Sequence, residues 1–433
     1  MSINLPDNCK KQLIAKLAEI LQKLKVNNGL YIDVNSSMEL YELDNIIQKK
    51  SEQKKEQKLR QKRELLNQYI SDQPVRDYIY GLVSTELAQS NEYDDTKGIN
   101  ITSFPLFKDV QQVAERYISQ LDSLPKDYFF TIKLENNIGC MLEEGEEYQV
   151  SNTVKLFKPS SKTIDRFPIP ENVNHLDHLR YAFIDQIKWP TEWDANSVYI
   201  QIDMKGFISE NIITRPIEET IMILKSFCGV SLATGLFQNF PPLRLSFEKS
   251  NSYFTVHKGS NEQLVFQRLF IFDENLSDYI QGLRIPQGIE NLKKEQLIRL
   301  ELIKHAFTED DQSKRIKKAC QWYFESQIGK NEILSFVQAV VVLEILLGKG
   351  SQHNEVGLGE LIGNRSAYLI GDSHKKRKLI LEKFREIYTT RSKIVHGGEN
   401  RLDLKAKYLM YHLQEICEKV IYKELLLLYK DVK

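Results

Sequence analysis

From about residue 291 to the end, the chain alternates stretches of helical apolar spacing with glycine breaks, and this rhythm leaves few folds open. Helices are predicted at about 293–308, 312–327, 331–347, 357–370, 375–396 and 403–430. Gly329, Gly348, Gly371 and the pair Gly397-Gly398 stand where helices should stop, because glycine closes a helix at little steric cost. Asn331 is placed to cap the helix that follows it. Breaks this short return each amphipathic helix against the one before, so residues 291–433 are expected to form an all-α bundle.

The preceding chain divides by period. Residues 1–90 read as a helical N-terminal region, with Leu13, Ile14, Leu17, Ile20, Leu21 and Leu24 at helical spacing. Residues 91–290 read as an α+β domain. Tyr128–Leu134 and Val198–Asp203 are rich in β-branched and aromatic residues, and Leu243–Phe247 with Tyr253–His257 alternate as a hairpin would. Thr214 is a candidate cap for a helix carrying Ile217, Ile221, Leu224 and Phe227. The expected fold class is therefore α+β and multidomain. Between Gln48 and Glu64 the chain is strongly basic, which suits either a solvated helix or a phosphate-tracking patch.

Composition excludes more than it identifies. The 59 Lys and Arg balance the 59 Asp and Glu, so a nucleic-acid surface has to be a local patch and not a basic body. The five cysteines, at 9, 140, 228, 320 and 417, form no C-x-x-C and no zinc spacing, which predicts reduced thiols and a cytoplasmic chain. No basic segment followed by an apolar one opens the sequence, and the longest apolar run, Ala339–Leu343, ends at Glu344. No membrane contact, metal or cofactor is expected.

Several familiar motifs fail. Gly348-Lys349-Gly350-Ser351 lacks the first glycine and the final hydroxyl of a P-loop, and Gly357-Leu358-Gly359 has no strand before it. Gly229-Val230-Ser231-Leu232-Ala233 lacks the last glycine of a nucleophile elbow. His175 and His178 are two imidazoles, short of a metal shell.

One segment does not fail: Arg391-Ser392-Lys393-Ile394-Val395-His396-Gly397. Ile380, Phe384, Ile387 and Ile394 mark an apolar stripe on the helix, and Arg391 falls on it. A guanidinium keeps its proton, so a packing face holds it only against an anion. Glu344, which interrupts the apolar run of another helix, is one candidate for that anion; a substrate phosphate is the other. His396 sits at the helix end, where carbonyl dipoles favour imidazolium. It reads either as a cap or as a group poised for proton transfer. An arginine fork and a titratable imidazole are together the parts for cleaving RNA without metal.

Arg391-x4-His396 followed by Gly397, inside an all-helical region, resembles the HEPN superfamily of ribonucleases, whose motif is Arg-x(4–6)-His. The phrase from Tyr388 to Gly397 is similar to the ApeA-like HEPN branch, as are Val342–Leu347 and the aromatic helix Ala319–Phe324. The resemblance implies a metal-independent endoribonuclease of a phage-defence or toxin-like system, acting on RNA as a homodimer through the bundle. Arg391 and His396 would be catalytic, supported by Ser392, Lys393 and Glu344, with two protomers completing one site. The ribose 2′-OH would attack and leave a 2′,3′-cyclic phosphate, sparing DNA. Residues 1–290 would receive a trigger or inhibitor. Two departures stand out: Ser392 follows the arginine where Asn, Asp or His is common, and Gly398 occupies a position that is a modifiable Tyr in some members. A non-catalytic HEPN module for dimerisation or nucleotide or RNA binding is the alternative, with Arg391 paired to Glu344 and His396 a cap.

Overall fold

A computed structural model of the chain describes residues 2–28, 31–48, 54–90, 97–134, 136–169, 193–209, 211–240, 252–260, 262–286, 292–348 and 357–431. It is a mixed α+β structure with several sheets and a helical C-terminal region. Among the described residues no helix is long and apolar enough to cross a membrane.

The first helices are α1 (Asp7–Lys23), α2 (Val34–Glu39), α3 (Tyr41–Gln48), α4 (Lys54–Tyr69), α5 (Pro74–Gln89) and α6 (Val110–Asp122). Leu13, Leu17, Ile20 and Leu21 turn one face of α1 into the core, as their spacing requires, and α6 packs on that helix. The buried carboxylate of Asp44 on α3 accepts from Val75 and Arg76 N–H at 3.1 and 3.0 Å, capping α5 from another helix. Burial nonetheless pushes this carboxyl up to about 6. The helical reading of residues 1–90 missed a small antiparallel sheet. In it β1 (Lys25–Asn27) lies between β2 (Tyr31–Ile32) and β3 (Ile99–Asn100). Strands this short carry too little period-2 pattern to read. The apolar cluster of this region draws on residues from Ile3 to Leu124, with Phe207, so the composition change near residue 90 is not matched by a gap in packing.

A six-stranded antiparallel sheet follows, built from β4 (Lys126–Lys133), β5 (Glu147–Gln149), β6 (Val154–Phe157), β7 (Tyr199–Gly206), β9 (Tyr253–Lys258) and β10 (Val265–Ile271) in the order β10-β9-β4-β7-β6-β5. A two-stranded pair, β8 (Gln238–Asn239) with β11 (Leu283–Arg284), lies beside it in the chain. The sequence paired Tyr253–His257 with Leu243–Phe247; in the structure β9 has β10 on one side and β4 on the other, and 243–247 lie outside the described residues. Three further helices punctuate the sheet: α7 (Ser161–Arg166), α8 (Arg215–Ala233) and α9 (Glu274–Gly282). Thr214 does occupy the position before α8, but its hydroxyl is buried without a partner, and Pro216 near the helix start supplies the preset backbone instead.

On one face of the sheet a cross-strand row places His257, Phe129 and Asp203 side by side. His257 is fully buried against Phe167 and Phe266, its Nε2 lying 3.0 Å from the Pro168 carbonyl. Burial lowers its pKa from 6.5 to about 4. Between those values the unfolded chain takes up a proton that the native chain refuses, so stability falls as pH drops from about 6.5 to about 4. Asp203, pushed up to about 6 by burial, acts in the opposite direction, so the test has to be differential. The stability difference between wild type and His257→Gln is expected to shrink by about 3 kcal/mol from pH 7 to pH 4, read from urea unfolding. A difference constant over that interval would show that His257 titrates alike in both states.

The C-terminal region holds α10 (Leu292–Ala306), α11 (Asp311–Ile328), α12 (Glu332–Leu347), α13 (Leu358–Ile370), α14 (His374–Gly397) and α15 (Leu404–Asp431). These six agree with the spacing-based helices to within two residues at each end. Asn331 caps α12 as expected, accepting from Ile333 and Leu334 N–H at 3.1 Å each, and Asp310, Ser373 and Asp403 begin α11, α14 and α15 in the same way. Gly398 ends α14 at φ 68°, the left-handed conformation that favours glycine. One continuous apolar cluster runs from the sheet through α8 into this region, because α8 packs along α11.

Candidate functional site

The candidate residues lie on the last turns of α14. Phe384, Ile387 and Ile394 are buried, which fixes the rotation of the helix about its axis. Its close seating against α13 depends on small residues there: a Cβ at Gly359 would lie 2.7 Å from the Tyr388 ring, and one at Gly363 would lie 3.2 Å from Phe384 Cβ. The Gly357-Leu358-Gly359 sequence thus serves helix packing at its second glycine.

That rotation separates the two motif residues. Five positions at 3.6 residues per turn rotate the helix by about 140°, so Arg391 and His396 point in different directions. Arg391 is turned towards α12, where its Nη2 lies 3.9 Å from Glu344 Oε1, with side chains 31% and 23% exposed. Tyr388 Oη donates to the same carboxylate oxygen at 3.5 Å. Burial and then the Glu344 charge push the Tyr388 phenol well above its ordinary range, so it stays a donor. An ion pair this long and this wet stabilises by under about 1 kcal/mol, too little to hold Arg391 against a competing phosphate.

His396, Ser392 and Lys393 are all exposed, on the side of α14 away from the buried stripe. With Tyr388, Thr389 and Gly397 they line an open hollow of about 640 Å³. The structure therefore brings Ser392, Lys393 and His396 together, and places Arg391 with Glu344 at the helix's inner edge. A single chain presents one imidazole to that hollow and turns its guanidinium aside. Among the described residues, none hydrogen-bonds the His396 ring, and no group of three or more His, Cys, Asp and Glu is arranged to hold a metal. His175 and His178 lie outside the described residues.

Reading the sequence missed the part played by Tyr388 and Thr389. Both precede the motif by less than a turn, and i, i+4 spacing from Tyr388 to Ser392 and from Thr389 to Lys393 was the available signal. Lys375, Lys376, Arg377, Lys378 and Lys393 read in the sequence either as a hold for RNA backbone or as solvated residues, and Lys383 and Arg385 extend that set along the helix. In a chain of zero net charge, α14 carries Lys375, Lys376, Arg377, Lys378, Lys383, Arg385, Arg391 and Lys393 against only Glu382 and Glu386.

Compared with known proteins, the chain matches no family model, no curated protein and no solved structure.

Proposed function

We propose that this chain is a HEPN-type endoribonuclease effector of a phage-defence or toxin-like system, cleaving RNA without metal at a site composed across a homodimer of its C-terminal helical bundle. The observation that carries the reading is the exposed end of α14. There His396, Ser392 and Lys393 face one open hollow, and Arg391 stands a turn away on a weak tether to Glu344. Cleavage by a ribose 2′-OH needs a base, an acid and a cation for the crowded phosphate. One chain offers one imidazole, so two copies with their α14 ends facing would supply the second. Residues 1–290 would carry the trigger or inhibitor contacts, and the cytoplasm is where such an effector meets its RNA.

A second reading has its own observation. The 3.9 Å contact between Arg391 and Glu344 is what a non-catalytic module would keep, its bundle serving dimerisation or nucleotide or RNA binding.

The test is incubation of purified protein with labelled RNA and the matching DNA in EDTA, scoring both fragment length and end chemistry. Cleavage confined to RNA, leaving 2′,3′-cyclic phosphate ends, is the expected result. Cleavage of both strands, or cleavage abolished by EDTA, would overturn the metal-free 2′-OH route.

A further inference from the structure

His396 is the last member of a ridge. Lys378, Arg385, Thr389, Ser392 and His396 recur at spacings of 7, 4, 3 and 4 residues along α14, which sets them on one exposed line of the helix. Lys378, Arg385, Lys393 and His396 are all exposed, and among the described residues no carboxylate pairs with the three cations. Glu382 stands exposed between Lys378 and Arg385 without an ion pair to either, Glu386 is held by Lys405 at 3.0 Å, and Asp403 spends its carboxylate on the Ala406 N–H at 2.7 Å.

The surface beside this line is also continuous. A second hollow, of about 240 Å³, adjoins the one at His396 and shares Thr389 and Lys393 with it. Arg385 lines this second hollow, as does Glu399. Unpaired cations thus lead from the His396 hollow, over Lys393, to Arg385 and on to Lys378. At 1.5 Å per residue, Arg385 lies about 16 Å and Lys378 about 27 Å from His396 along the helix.

Cations strung along a line, and not converging on a point, match a chain of phosphates better than any single anion. We propose that α14 is the track for the RNA backbone: the strand leaves the His396 hollow towards the helix N-terminus, with its phosphates against Lys393, Arg385 and Lys378. This inference rests on the ribonuclease reading for its choice of polyanion, and adds to it the direction of the strand and the residues that hold it. No exposed aromatic interrupts the line among its described residues, so the contacts go to backbone and are indifferent to base.

The test uses the full chain in a His396→Ala background, so that the probe stays intact, and a labelled single-stranded RNA of mixed sequence. Affinity is measured by anisotropy across a salt series, with and without Lys378→Ala and Arg385→Ala together. Each phosphate contact contributes about 0.7 to the slope of log K against log salt for a single strand, so the pair is expected to lower it by about 1.4. Replacing Lys11 and Lys23, on α1, serves as the control and should leave the slope unchanged. An unchanged slope in the α14 variant, or no RNA binding by the parent, overturns the track. Binding with the expected slope by a protein whose wild type never cleaves RNA would instead reject the catalytic reading and leave the track standing.

Discussion

His396→Ala is expected to reduce RNA cleavage about 10²- to 10⁴-fold, the range lost when a positioned acid or base is removed, while leaving the fold in place. The two halves of that result come from the same geometry. The ring is exposed on the side of α14 away from the core, and among the described residues it has no hydrogen-bond partner to lose. Its one structural contribution is its charge near the helix C-terminus, worth about 0.3–1 kcal/mol when protonated. Parallel urea titrations therefore decide the matter. A large activity loss with a stability change below about 1 kcal/mol identifies a catalytic imidazole. A stability change with cleavage unaltered identifies a cap, and the non-catalytic module becomes the better account. Arg391→Ala is a weaker probe, because it also strips Glu344 of its counter-ion. Arg391→Lys retains the charge and removes only the planar fork, so a loss of activity in that variant would point to bidentate phosphate contact.

How much of this was legible in the sequence depends on which interactions are local. The six C-terminal helices could be read because their caps, glycine stops and apolar stripes all lie within a few residues of one another, as Asn331 and Gly398 illustrate. Tyr128–Leu134 was legible as a strand for the same reason, by composition. Its neighbours were not: β9 lies beside β4 through pairs such as Phe129 with His257, which no local pattern encodes. The site divides in the same way. Spacing put Arg391 on the apolar stripe with Glu344 as one of two candidate anions, and the guanidinium lies 3.9 Å from that carboxylate. That His396 faces elsewhere was open to the same reasoning, since five positions on a helix set it about 140° from Arg391, but proximity in sequence drew the two together as one motif. Lys378 could be read either as a hold for RNA backbone or as solvated, whereas Arg385 gave no signal until the hollow it lines, which shares Thr389 and Lys393 with the next, joined it to His396.

The second large effect is expected far from the site. Gly229→Ala should destabilise the protein by about 3 kcal/mol, the upper part of the usual range for overpacking. Gly229 lies on α8 where it crosses α11, and a Cβ there would stand 2.0 Å from the Cys320 carbonyl oxygen and 2.8 Å from its carbon. Both obstacles are backbone, so no side-chain rotation relieves them and the helices have to part. Phe227, Cys228, Val230, Cys320 and Phe324 around the crossing are fully buried, so parting them opens the core. The sign of the effect is informative, because alanine is otherwise favoured over glycine in a helix by about 1 kcal/mol. Gly397→Ala is the internal comparison: its nearest neighbour would be Lys393 Cβ at 3.9 Å, so that change should be neutral or stabilising. Thermal unfolding of the two variants reads the contrast directly. Because one apolar cluster spans the sheet, α8 and the C-terminal helices, Gly229→Ala should lower their melting as a single transition. If the variant instead splits that melting in two, the sheet and the helical bundle are independent units, and α8 is a contact between them and not part of a common core.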